Sequence, residues 1–129
     1  MSEPRDLAEV YLRKAKEDEF LIFEVPASVL VPEPIFGFHA QQAAEKLLKA
    51  ALSLRGVPFR RTHQLRELMD ALADGGAPLP ETLSDLDRLS PFAVELRYDD
   101  VPVGEVVELD RDVVRTWLLT LRAWVTTQR

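Results

Sequence analysis

The chain of 129 residues contains no cysteine. That excludes a disulfide framework, a thiolate nucleophile and a cysteine-ligated metal. A chain without disulfides suits a reducing compartment, and the sequence is expected to be cytoplasmic. Histidine is nearly as scarce, with His39 and His63 only. A zinc site would need both of them plus carboxylates, and no metal-ligand spacing is present. Neither a metal nor a cofactor is expected. The five glycines are scattered, so there is no glycine-rich phosphate loop and no Gly-x-Ser-x-Gly elbow. No apolar run approaches the roughly 18 residues that a bilayer span requires. Residues Met1 to Asp6 are polar and charged rather than the apolar core of a signal sequence. Strand-like alternation is brief, and no repeat is visible.

What is present is ordinary for a globular protein: 47% hydrophobic and 29% charged residues. The length fits one domain over residues 1–129, large enough for one core. The net charge of −6 opposes bulk binding to nucleic acid. Its distribution is uneven. Lys46, Lys49, Arg55, Arg60, Arg61 and Arg66 fall in a stretch with no acid, whereas Glu81 to Asp112 is strongly acidic. The basic stretch is either an anion-attracting patch or a set of charges paired across the fold.

Helical periodicity dominates. Leu7, Ala8, Tyr11, Leu12 and Ala15 mark a first helix from near Pro4 to about Phe23. Three prolines between Pro26 and Pro34 then impose a loop, whose Val29, Leu30 and Val31 are expected to pack on the body. A second helix spans about Ile35 to Leu54. Its main stripe includes Phe36, Ala40, Ala44, Leu47 and Ala51, and Phe38, Leu48 and Leu52 form another apolar face. A helix apolar on two faces lies between neighbours. The second face is also a candidate dimer surface. Thr62 is placed to cap a third helix carrying Leu65, Leu68, Met69 and Leu72, which Asp74-Gly75-Gly76 ends. A fourth helical segment, between Pro80 and Leu96, is broken at Ser90-Pro91, and residues 97–108 read as a loop. Asp110 is placed to cap a last helix in which Val113, Val114, Trp117, Leu118, Leu121, Trp124 and Val125 follow the helical period. Short connections between such helices make an antiparallel bundle.

The second helix also carries a polar row. His39, Gln42, Lys46 and Lys49 lie on one side at spacings of three and four, and Glu45 precedes Lys49 by one turn. An imidazole, an amide and two ammonium groups suit a phosphate and a base. Equally, they suit a solvated face or a polar network. Arg60, Arg61 and His63, at the start of the third helix, form a second candidate phosphate contact.

The string Phe38-His39-Ala40-Gln41-Gln42-Ala43-Ala44-Glu45-Lys46-Leu47-Leu48-Lys49-Ala50 resembles the signature helix of the HEPN family. Thr62-His63-Gln64-Leu65-Arg66-Glu67-Leu68 resembles that family's Thr-His-x-Leu-x-x-Leu segment, and Arg97-Tyr98-Asp99 its Arg-Tyr-Pro-Asp turn. The three occur in family order. The resemblance implies an all-α, antiparallel up-and-down four-helix bundle with an extra short helix, commonly a homodimer. It implies a nucleotidyltransferase partner in a toxin–antitoxin pair, and nucleotide or RNA phosphate contacts through Lys46, Lys49, His63, Arg97 and Tyr98. Nuclease members of the family use an Arg, four to six residues, then a His. Here the positions that should hold the His are Pro102, Val103 and Gly104, and Arg55 precedes His63 by one residue too many. Arg97 is left as the lone catalytic candidate. RNA cleavage needs a base, an acid and a cation, and Arg97 supplies only the last. The expectation is a binding module rather than the usual nuclease. The alternatives are a metal-independent ribonuclease toxin and a ligand-free interaction bundle.

Overall fold

The computed structural model describes residues 4–26, 29–93 and 109–129. Among them there are four α-helices, two 3-10 segments and no strand. Helix α1 spans Pro4–Phe23, α2 Glu33–Leu54, α3 Leu65–Asp74 and α4 Arg111–Thr126. The 3-10 segments are Glu81–Leu83 and Leu86–Ala93. Among the described residues no helix is long and apolar enough to cross a membrane.

Contacts between named residues give the directions. Glu19 meets Arg122, the Ile22 carbonyl meets Arg115, and Glu9 meets Arg129. As one number rises the other falls, so α1 and α4 are antiparallel. Phe36 lies under Arg111 and Arg115, and Arg55 reaches Gln128, so α2 and α4 run the same way. After α2 the chain reverses at Gly56, whose φ of +66° suits glycine. The Val57 amide donates to the Leu52 carbonyl and the Gly56 amide to Ser53, a Schellman ending. Residues 55–64 then return along α2 until the His63 carbonyl accepts from Gln41. From there α3 runs alongside α2, and Gly76 closes it with the same two-bond ending. The 3-10 rod travels back to the start of α2, where Phe92 packs on Gly37. Thus α1, α2, the 3-10 rod and α4 alternate as an up-and-down bundle, and α3 is the extra short helix.

Helix α2 is the centre, touching α1, α3, the second 3-10 segment and α4. Phe36, Leu47, Leu48 and Leu52 are buried in a core shared with Leu12, Ile22, Leu65, Leu83, Leu118 and Leu121. The expected dimer surface needs correcting here. Leu48 and Leu52 are fully covered by the chain's own elements, leaving only Phe38 half-buried.

Other expectations shift in detail. Helix α2 begins at Glu33, before Ile35, because Pro34 falls in its first turn, where a missing N–H is harmless. Thr62 is not the cap of α3. Its hydroxyl accepts from the Gln64 amide, and the Leu65 amide is satisfied by Ser90 from the 3-10 rod. The fourth segment is 3-10 rather than α-helical, with Pro91 inside it. Val31 packs on the core, whereas Val29 and Leu30 stay exposed. Asp110 caps α4 as expected, accepting from the Asp112 and Val113 amides. The expected loop at 97–108 lies outside the described residues.

A Cβ at Gly37 would overlap Cδ1 and Cγ of the Phe92 ring. Gly37→Ala is therefore expected to destabilise the protein by about 1–3 kcal/mol, as overpacking does. The midpoint of urea denaturation checks this, and an unchanged midpoint would mean that the rod end is not seated on α2.

Candidate functional site

The polar row of α2 begins as helical spacing. Packing then divides it between two neighbours. On the α1 side, Asp18 is nearly buried and accepts from both His39 Nδ1 (2.9 Å) and Lys46 Nζ. On the other side, Glu45 is nearly buried and accepts from Lys49 Nζ (3.0 Å), Gln41 Nε2 (3.1 Å) and His63 Nδ1 (2.7 Å). Gln42 bridges inward, donating to Gln41 Oε1 at 2.7 Å. The row is a continuous polar arc with a carboxylate at each edge. Each carboxylate takes one lysine and one histidine.

These bonds settle the donor roles. An ionised carboxylate only accepts, so each histidine presents a hydrogen on Nδ1 to its carboxylate. The second set is the better buried. Only 6% of the Glu45 side chain and 11% of that of Lys49 are exposed, against 64% for His63. Burial alone would raise the pKa of Glu45. The hydrogen bonds from His63, Gln41 and Lys49 outweigh it and hold the pKa below the ordinary value. Glu45 is thus a fixed negative charge, seated under an imidazole that faces outward.

Lys46 and Lys49 are each committed to a carboxylate within the fold. The rest of the basic stretch is mostly paired too: Arg55 with Gln128 and the Gly75 carbonyl, Arg60 with Glu67, Arg66 with Asp87 and the Ser84 carbonyl. Arg61 makes no side-chain bond among the described residues. No group of three or more metal-ligating side chains occurs among the described residues. Arg97 and Tyr98 lie outside them.

Asp18 escaped the sequence reading, as did its neighbour Glu19, which takes a two-pronged contact from Arg122. A signal was available. Both acids sit in the interval between Ala15 and Ile22 of the apolar stripe of α1, where an ionised group requires a counter-charge. Gln41 was missed for the same reason: it is fully buried on a helix read for its outward polar residues.

A carboxylate with a lowered folded pKa stabilises the fold above its unfolded value, and that stabilisation is lost as pH falls through the folded value. For Glu45 it is complete above the ordinary pKa of 4.5 and disappears below that. Glu45→Gln is expected to lower stability at pH 7 by about 1–3 kcal/mol, the range for a broken charged hydrogen bond, and to flatten the acid limb of the stability curve. Equal acid sensitivity in the variant and the parent would refute the assignment.

A family model described as HEPN domain matches residues 33–126. No curated protein and no solved structure matches the chain. The matched region opens on the first residue of α2 and closes on the last residue of α4. It includes the whole polar row, the return segment bearing His63 and the region of Arg97, and it leaves α1 outside. With nearly three-quarters of its residues in that match and an all-helical bundle to carry them, the chain belongs to the HEPN domain family.

Proposed function

We propose that the chain is a HEPN-type binding module for a nucleotide or RNA phosphate, working alongside a protein partner, and not a nuclease of the family's usual kind. The observation that carries this reading is the outward imidazole of His63 over the buried Glu45–Lys49 pair, with Arg61 beside it in sequence. Phosphate contact then moves from the lysines expected to make it to His63 and Arg61. Arg97 and Tyr98 keep the phosphate-contacting role that their motif implies. The loss of a histidine at 102–104 removes the acid or base that the usual cleavage needs.

A second reading concerns assembly. Leu119 lies one turn from both Arg115 and Arg122, and those arginines reach Ile22 and Glu19 of α1. Phe20 of α1 and Leu119 of α4 are 64% and 60% exposed, which favours a partner on the outer faces of these helices. A homodimer is the first choice. A nucleotidyltransferase of a toxin–antitoxin pair is the second.

Single-stranded RNA and, separately, ATP should bind the purified protein, more weakly at high salt, with no cleavage on a gel. His63→Ala should weaken binding about tenfold, or roughly 1.4 kcal/mol. Cleavage by the parent that disappears in Arg97→Ala would overturn the non-nuclease reading. Light scattering should give the mass of a dimer for the parent and of a monomer for the double variant Phe20→Lys with Leu119→Glu. A monomeric parent would remove the homodimer.

A further inference from the structure

The two histidines share a setting but not an outlook. Each gives Nδ1 to a nearly buried carboxylate that also holds a lysine of α2. Twice as much of the His63 side chain is exposed as of His39, 64% against 32%. Arg61 and His63 are exposed while Thr62 between them is buried. Both therefore present exposed side chains from the return segment, two residues apart in sequence. The segment is fixed from behind, since the His63 carbonyl accepts from buried Gln41.

The charges around His63 come from three elements. Helix α2 presents Glu45 and Lys49, which neutralise one another. The return segment presents Arg60 and Arg61, and α3 presents Glu67, which neutralises Arg60. With His63 neutral, Arg61 is the charge of these groups that has no ion-pair partner among the described residues. A proton on His63 Nε2 adds a second positive charge, and the imidazolium is still held by Glu45. A phosphate monoester carries close to two negative charges near pH 7, having a second pKa of about 6. An internal phosphodiester carries one.

We propose that Arg61 and His63 form a proton-coupled site for a phosphate monoester, such as the terminal phosphate of an oligonucleotide or a nucleotide, in preference to an internal diester. This rests on the phosphate-binding reading above and narrows it. On binding, His63 takes up a proton at Nε2, so both Nε2–H and the Arg61 guanidinium donate to the phosphate oxygens. A group that gains a proton on binding has a higher pKa in the complex. Affinity is therefore full below the free histidine value and is lost as pH rises through the higher value of the complex.

The test uses inorganic phosphate and one RNA oligonucleotide, with and without a 5′ phosphate, on the intact chain by calorimetry. The phosphorylated oligonucleotide should bind about tenfold more tightly at pH 6.5 than at pH 8. Buffers of different ionisation enthalpy should report uptake of a proton near pH 7.5. His63→Gln should remove both the pH dependence and the proton uptake. Arg61→Ala, which breaks no side-chain bond among the described residues, should weaken binding about tenfold at pH 6.5 with an unchanged circular dichroism spectrum. Equal binding of the two oligonucleotides, with no response to pH, would overturn this proposal and leave the phosphate-binding reading standing. PH dependence that persists in His63→Gln would overturn the assignment to His63. No binding of any of these probes by folded protein would overturn both.

Discussion

A helix enclosed on nearly every side cannot keep ionised side chains unless its neighbours bring the opposite charge. Helix α2 is in that position, with Gln41, Glu45, Lys49 and Ser53 buried among its apolar residues. Removing a charge from water without compensation costs several kcal/mol. The fold meets this constraint at both edges of the polar arc. Asp18 comes from α1 to His39 and Lys46. At the other edge Lys49, one turn along α2, neutralises Glu45, and the return segment brings His63 to the same carboxylate. The route of residues 55–64 follows from the second pairing. The chain has to run back along α2, held by Gln41 to the His63 backbone, before α3 can start. Where α3 lies, and so where the 3-10 rod seats Ser90 and Phe92, depends on that return.

Much of this architecture was legible because apolar spacing reports one partner at a time. Val114, Leu118, Leu121 and Val125 of α4 recur with a clean helical period, and all four are buried. Asp110 at the cap and the glycines after α2 and α3 were readable because each solves a local backbone problem. What spacing could not report is which polar residue meets which. His39, Gln42, Lys46 and Lys49 share one side of α2, so the sequence suggests one surface. Only the arrival of α1 on one flank and the return segment on the other divides it in two. Leu48 and Leu52 were misjudged for a related reason. A second apolar face looks free until α3 and the rod are known to cover it. The Thr62 cap failed because the partner of the Leu65 amide, Ser90, is 25 residues away.

The same pairings decide how the polar row can act. A lysine already held by a buried carboxylate is a poor phosphate ligand, because its bond must be broken and its carboxylate left behind without a partner. The resemblance to a nucleotide-associated family points to Lys46 and Lys49. The electrostatics point past them, to the groups they help to hold. In the proposed site Lys49 would serve by neutralising Glu45, so that Glu45 orients His63 without adding a net negative charge beneath it.

The division of labour also explains why the two histidines are not equivalent. The family match begins at α2, so Asp18 and Glu19 lie outside it. Helix α1 nonetheless occupies one half of the row. Asp18 takes His39 and Lys46, and Glu19 anchors the same helix to Arg122 of α4. That half of the row is spent on fixing α1 between α2 and α4. The other half fixes only a narrow extended segment, which covers less of the imidazole than a helix does. One carboxylate–histidine pair is therefore committed to packing. The other leaves a nitrogen facing out, with its tautomer set by a buried charge. If any part of the row performs chemistry or binding, packing alone directs it to His63.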